Sequence, residues 1–174
     1  MKISLRVLPI VPRSRKLQAD KQSIQKTKAI SPKNARSYRI LLVLILVILS
    51  VQAWFGDFVN IFVAPPTGVT PPPFSLTGLL QGIESLGLPL IWHAFEGFSL
   101  VVIGLALAIL SFVWSCPKGA KISSFLGFIF IVVAALGGVL FVLSGFSDGG
   151  ASMQMGGSFV GAFAMYFVAL YFSK

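Results

Sequence analysis

Four stretches of this chain, residues 40–63, 89–114, 122–143 and 151–172, are almost continuously apolar. The first holds one charge, Asp57. The second holds Glu96 and the lone histidine, His93, while the third and fourth hold no Asp, Glu, Lys or Arg. As helices rising about 1.5 Å per residue, segments of this length cover a hydrocarbon core of about 30 Å. The chain is 56% hydrophobic and 11% charged, whereas a water-soluble domain carries about 25% charged residues. Too few charges remain to cover a water-facing surface. The predicted fold is therefore all-α: an integral membrane four-helix bundle over residues 39–174, preceded by a tail over residues 1–38.

The net charge of +9 belongs to that tail. Eleven of the fourteen Lys and Arg residues lie between Lys2 and Arg39, and the others are Lys118, Lys121 and Lys174. A basic tail with prolines at Pro9, Pro12 and Pro32 is expected to be solvated and mostly disordered. It reads first as a topology signal with a loose tail; the functional alternative is a clamp on anionic lipid headgroups, at about 1 kcal/mol per basic residue near the surface. Nucleic acid is not implied, because no folded surface carries the charge. The apolar run in the opening MKISLRVLPIVPRSRK is too short for a signal-peptide core. The single cysteine, Cys116, excludes an intramolecular disulfide and a multi-cysteine metal site within one chain.

Residues 64–87 connect the first two spans without a single Lys or Arg. The prolines of APPTGVTPPP bar a helix there. In the following SLTGLLQGIESLG, Leu76, Leu79, Leu80, Ile83 and Leu86 recur at helical spacing, which predicts a short extracytoplasmic helix lying in the membrane interface. Gly78 and Gly82 weaken that helix. The turn over 145–150 also lacks basic residues, and its Asp148 is placed to cap the fourth span. With four crossings, all fourteen basic residues fall on one side. By the positive-inside rule the expectation is a multi-pass protein of the cell membrane with both termini cytoplasmic.

Close helix approach in lipid relies on small residues. Gly157 and Gly161 form a G-x-x-x-G in the fourth span, the third offers Gly137 and Gly138, and the second offers Gly97 and Gly104 on one face. All six are read as packing glycines.

One polar layer stands out. His93, Glu96 and Gly97 at i, i+3 and i+4 share a helix face. His93 lies roughly 6 Å and Glu96 roughly 10 Å inside Pro89. Gln52 and Asp57 in the first span, and Met153 and Met155 in the fourth, fall at matching depth. Ionisable groups in a membrane rarely face lipid, so His93 and Glu96 are expected to form a buried, coupled unit. Four readings compete for it. It is a structural knot, a soft-metal site in which Met thioethers bind copper, a haem site with His–Met ligation and room for a macrocycle at Gly97, or a quinone or lipid pocket in which His93 and Glu96 handle a proton. No phosphate-binding loop, H-E-x-x-H, cysteine cluster or nucleophile beside a base occurs, and Ser144, Ser147 and Ser152 with one histidine make no hydrolase signature. The expectation is a non-enzymatic accessory or assembly subunit, in contact with the bilayer and with other membrane subunits or a second copy of itself. The competing class is a haem- or copper-binding redox protein using His93 and a Met ligand.

Overall fold

A computed structural model describes residues 30–62 and 71–173. Within them lie α1 (Pro32–Phe62), α2 (Leu76–Ser85), α3 (Leu88–Val113), α4 (Lys118–Leu143) and α5 (Gly149–Phe172). The helices α1, α3, α4 and α5 are long and apolar enough to cross a membrane, and α2 is the short helix between the first two spans. Residues 1–29 of the basic tail, and residues 63–70 of the proline-rich connection, lie outside the described residues.

The first helix starts earlier than its apolar run, which begins at residue 40. Ser31 caps it, accepting from the Asn34 amide at 3.2 Å, and Pro32 occupies the first helical position, where a missing N–H costs nothing. Lys33, Arg36 and Arg39 therefore ride on helix rather than on tail. At 31 residues α1 measures about 46 Å, longer than a hydrocarbon core. Its first turns project beyond the bilayer at the basic end. There the Arg39 Nε donates to the Ser173 carbonyl at 2.7 Å, tying α1 to the C-terminus of α5, where a helix dipole favours positive charge.

The spans form a ring in the order α1, α3, α4, α5: α1 packs on α3 and α5, and α4 packs on the same two. The buried seam of α1 runs Tyr38, Leu42, Ile45, Leu49, Gln52, Gly56, Val59, alternating steps of four and three as in coiled-coil packing. Opposing seams are built from small residues, with Ala120, Ser124, Gly127 and Gly137 on α4 and Ala151, Ser158, Ala162 and Ala169 on α5. The tightest approach joins α4 to α5. A Cβ on Gly137 would lie 3.0 Å from the Ala151 carbonyl oxygen and 3.1 Å from the Met155 nitrogen. Tyr166 fills a hole left by two glycines: a Cβ at Gly104 would come within 2.9 Å of its Oη, and one at Gly127 within 2.9 Å of its ring.

At four of the six predicted packing glycines, Gly97, Gly104, Gly137 and Gly161, an added Cβ would come within 3.4 Å of a neighbouring helix, and one on Gly138 would lie 3.5 Å from the Met155 sulfur. Gly157 does not fit the expectation. A Cβ on Gly161 would come within 2.8 Å of the Phe130 ring, but one on Gly157 would meet nothing within 4 Å. The reason is rotation: α5 turns Gly161 toward α4 and leaves Gly156 and Gly157 on the outer surface.

The short helix is also rotated from the expected orientation. Its two glycines form the inward face: a Cβ on Gly82 would collide with Val142 of α4, and one on Gly78 with the Pro73 carbonyl. Leu79, Ile83 and Leu86 pack half-buried on a cluster of Val59, Leu90 and Val142, while Leu76 and Leu80 point outward. Thus α2 covers the end of the bundle opposite the basic one.

Both helix-ending turns are Schellman motifs. At the end of α4, the Phe146 amide donates to the Phe141 carbonyl at 3.0 Å and the Gly145 amide to Val142 at 3.0 Å, with Gly145 in the left-handed region and the Phe141 and Phe146 rings edge to face. At the end of α3, Cys116 and Ser115 make the equivalent bonds to Ser111 and Phe112, but a serine holds the left-handed position, φ 53°. Asp148 caps α5 as expected, accepting from the Ala151 amide at 3.1 Å.

Candidate functional site

Several hydroxyls within the spans are satisfied locally. Ser50, Ser99 and Ser111 donate back to carbonyls of their own helices. Ser144 donates to the Phe141 carbonyl and accepts from the Ser147 and Asp148 amides, so it is a turn residue and not a nucleophile. Tyr38 hydrogen-bonds Ser124 across the ring near the basic end.

The exception lies between α1 and α3. The Gln52 amide nitrogen donates to the His93 backbone carbonyl at 3.0 Å and stands 3.4 Å from the His93 Nε2. Two glycines make this approach possible. A Cβ on Gly97 would stand 3.3 Å from the Gln52 nitrogen, and a Cβ on Gly56 would stand 3.2 Å from the His93 Cε1. Each helix carries one polar side chain with a glycine four residues on, Gln52–Gly56 and His93–Gly97. Because the helices run antiparallel, each polar group drops into the other's gap. Gly56 was not singled out from the sequence, and its signal was this matched spacing.

The carbonyl contact fixes the amide orientation, since a flipped Gln52 would set oxygen against oxygen. Nε2 is then the imidazole acceptor, and the neutral ring carries its proton on Nδ1. Three side-chain atoms in this layer are buried without a hydrogen-bond partner: Gln52 Oε1, His93 Nδ1 and Glu96 Oε2. Among the described residues the fourth is Tyr166 Oη, against Gly104. A buried polar atom left unpaired costs about 1–3 kcal/mol, so three in one layer call for an account.

The other predicted members of the layer are not gathered here. Asp57 is exposed, just over one turn beyond Gln52. Met153 is 81% exposed, and Met155 lies on Gly137 and Gly138 of α4. Since α3 and α5 stand on opposite sides of the ring, neither thioether is brought to the imidazole within this chain. The room foreseen for a macrocycle at Gly97 is taken by the Gln52 amide. Among the described residues no group of three or more His, Cys, Asp or Glu side chains is placed to hold a metal. Glu96 stands one turn from His93, yet the two make no hydrogen bond to each other; the imidazole pairs across the seam instead.

The site has a defined level. Exposed Trp92 adjoins His93, and exposed Trp54 lies two residues from Gln52. Tryptophans favour the membrane–water interface. From Trp92 to Trp114 α3 rises about 33 Å, matching a hydrocarbon core with its edges. The Gln52–His93 contact therefore sits at the edge of the core on the α2 side, with Glu96 slightly deeper and Asp57 outside Trp54, at headgroup level.

Comparisons with protein-family models, curated proteins and solved structures return no match.

Proposed function

We propose that this chain is a non-enzymatic accessory or assembly subunit of the cell membrane, with the basic end cytoplasmic, that works by holding a partner rather than converting a substrate. The observation that carries the reading is how His93 is used. Its Nε2 faces the Gln52 amide, among the described residues no hydroxyl, thiol or carboxylate is hydrogen-bonded to it, and the one cysteine is buried at the opposite end of the bundle. An imidazole committed in this way aligns two helices and activates no nucleophile. The open outer face of α5, with Gln154, Gly156 and Gly157 exposed, supports lateral association.

The test is gentle isolation from native membranes, followed by cross-linking and mass spectrometry. A membrane protein recovered in fixed stoichiometry is the expected result; a chain that runs alone, with a turnover of its own, refutes the reading. Orientation has a separate test. In a Cys116→Ser background, a membrane-impermeant maleimide added to sealed cells should label Ser147→Cys and spare Lys118→Cys.

A further inference from the structure

The three unpartnered atoms of the α1–α3 seam carry an inference beyond that role. Along the bundle axis the layer is closed on both sides. Toward the α2 end lie Val59, Leu90 and Val142, covered by Leu79 and Ile83 of α2. Toward the basic end lie Leu49 and Leu100 of the main core. Gln52 is 9% exposed, but His93 and Glu96 are each only half-buried, so the layer is approached from the flank of the bundle. That flank faces the bilayer. The three unpartnered atoms are themselves buried, on side chains of which His93 and Glu96 are part-exposed at this flank, so an entering group must come past those two side chains.

The chemistry of the orphans selects the group. Gln52 Oε1 needs a donor. His93 Nδ1, protonated by the tautomer argument, needs an acceptor. Glu96 Oε2 is a further acceptor when ionised. A hydroxyl meets both needs with one atom; an ether or a bare carbonyl only accepts. Charge narrows the class further. No Lys or Arg occurs between residues 40 and 117 or between 122 and 173, while Asp57, Glu84, Glu96 and Asp148 all lie toward the α2 end. A phosphate head would meet no cation there. An ammonium head could not accept from Nδ1. The exposed tryptophans set the layer at the depth where the head of a neutral amphiphile rests.

We propose that the seam formed by Gln52, Gly56, His93 and Gly97, with Glu96 beside it, is a lateral-entry binding site for an uncharged amphiphile whose head carries a hydroxyl. Quinols, sterols and diacylglycerol-like lipids share that chemistry. The site does not depend on the subunit role, since it is complete within one chain.

His93 is the only histidine, so the full-length protein labelled with 15N-histidine in nanodiscs reports this imidazole alone. Before any probe is added, the spectrum should show the neutral Nδ1–H tautomer; the Nε2–H tautomer would overturn the proposal. Four probes of one chain length are then titrated: 1-decanol, 1-methoxydecane, decyl phosphate and decylammonium. Decanol should shift the Nδ1 resonance saturably and the other three should not. An equal response to the ether, the phosphate or the ammonium refutes the chemistry assigned to the head. No saturable response to decanol refutes the site and leaves water or nothing in the layer. Gln52→Met, which keeps length but removes both the carbonyl and the amide donor to His93, should weaken decanol at least about tenfold, the loss of one hydrogen bond or more; unchanged affinity in a folded variant refutes the role of Gln52. Because these readings use purified chain alone, they stand or fall separately from any protein found with it.

Discussion

Replacing Gly137 by alanine tests the packing of α4 on α5 at its closest point. An alanine at a helix-interior glycine gains about 1 kcal/mol from backbone propensity alone. At Gly137 the added methyl would lie 3.0 Å from the Ala151 oxygen and 3.1 and 3.3 Å from the Met155 nitrogen and Cα. These are backbone atoms, so no side chain can swing aside and the helices must separate by several tenths of an ångström. Overpacking of this kind costs about 1–3 kcal/mol. The net expectation is a loss of about 0–2 kcal/mol. Gly157 is the control, because its methyl would meet nothing within 4 Å and only the propensity gain of about 1 kcal/mol remains. The two alanine variants should therefore differ by about 1–3 kcal/mol, read as the shift of the unfolding midpoint when SDS is titrated into mixed micelles with helicity as the signal. If Gly137→Ala is as stable as Gly157→Ala, the α4–α5 contact is looser than described and the small-residue account of the bundle fails.

Three further outcomes can be checked. A double-mutant cycle of Gln52→Leu and His93→Leu should show a coupling of about 0.5–1.5 kcal/mol, whereas His93 and Glu96, which share no hydrogen bond, should be additive within about 0.5 kcal/mol; the reverse pattern would restore the pair foreseen from sequence. Ser115→Gly should stabilise by about 0.5–1 kcal/mol, the left-handed cost at Ser115 less the extra freedom of glycine in the unfolded chain, and an unchanged midpoint would show that the turn is not strained. Burial pushes the Cys116 thiol above its usual range despite nearby Lys121, so a raised pKa leaves less thiolate at pH 8. Maleimide should label it much faster after denaturation than before, and equal rates would place the thiol in solvent.

The positions of the spans, the short helix and the grouping of basic residues could all be read from apolar run length and charge. The inward faces could not. In lipid the outer surface is as apolar as the core, so α1 alternates nothing visible between Leu42 or Leu49, which are buried, and Val43 or Val47, which are exposed. The readable marks were the residues lipid disfavours or packing demands: Tyr38, Gln52 and Gly56 lie on the four–three seam. Gln52 and His93 meet at one level, but equal depth along a span carries no direction, and Met153 and Asp57 do not join the layer. The early start of α1 had its own local signal in Ser31 and Pro32, independent of hydropathy. Tyr166, which fills the centre, is recognisable only once Gly104 and Gly127 opposite it are paired in space.

The seam also imposes an order on how the chain is made. Gln52 and His93 are 41 positions apart, and Arg39 and Ser173 are 134 apart. At about 5–20 residues per second of synthesis, Gln52 enters the membrane roughly 2–8 s before its partner exists, and the ring stays open for roughly 7–27 s. Over the first interval an amide must wait in the bilayer, or in the insertion machinery, with no helix to receive it. Stalled chains carrying a cysteine pair at positions 52 and 97 should cross-link once α3 has left the ribosome, before α5 is made. A cross-link that appears only with the complete chain would mean that closure of the ring, rather than the local pair, brings these two helices together.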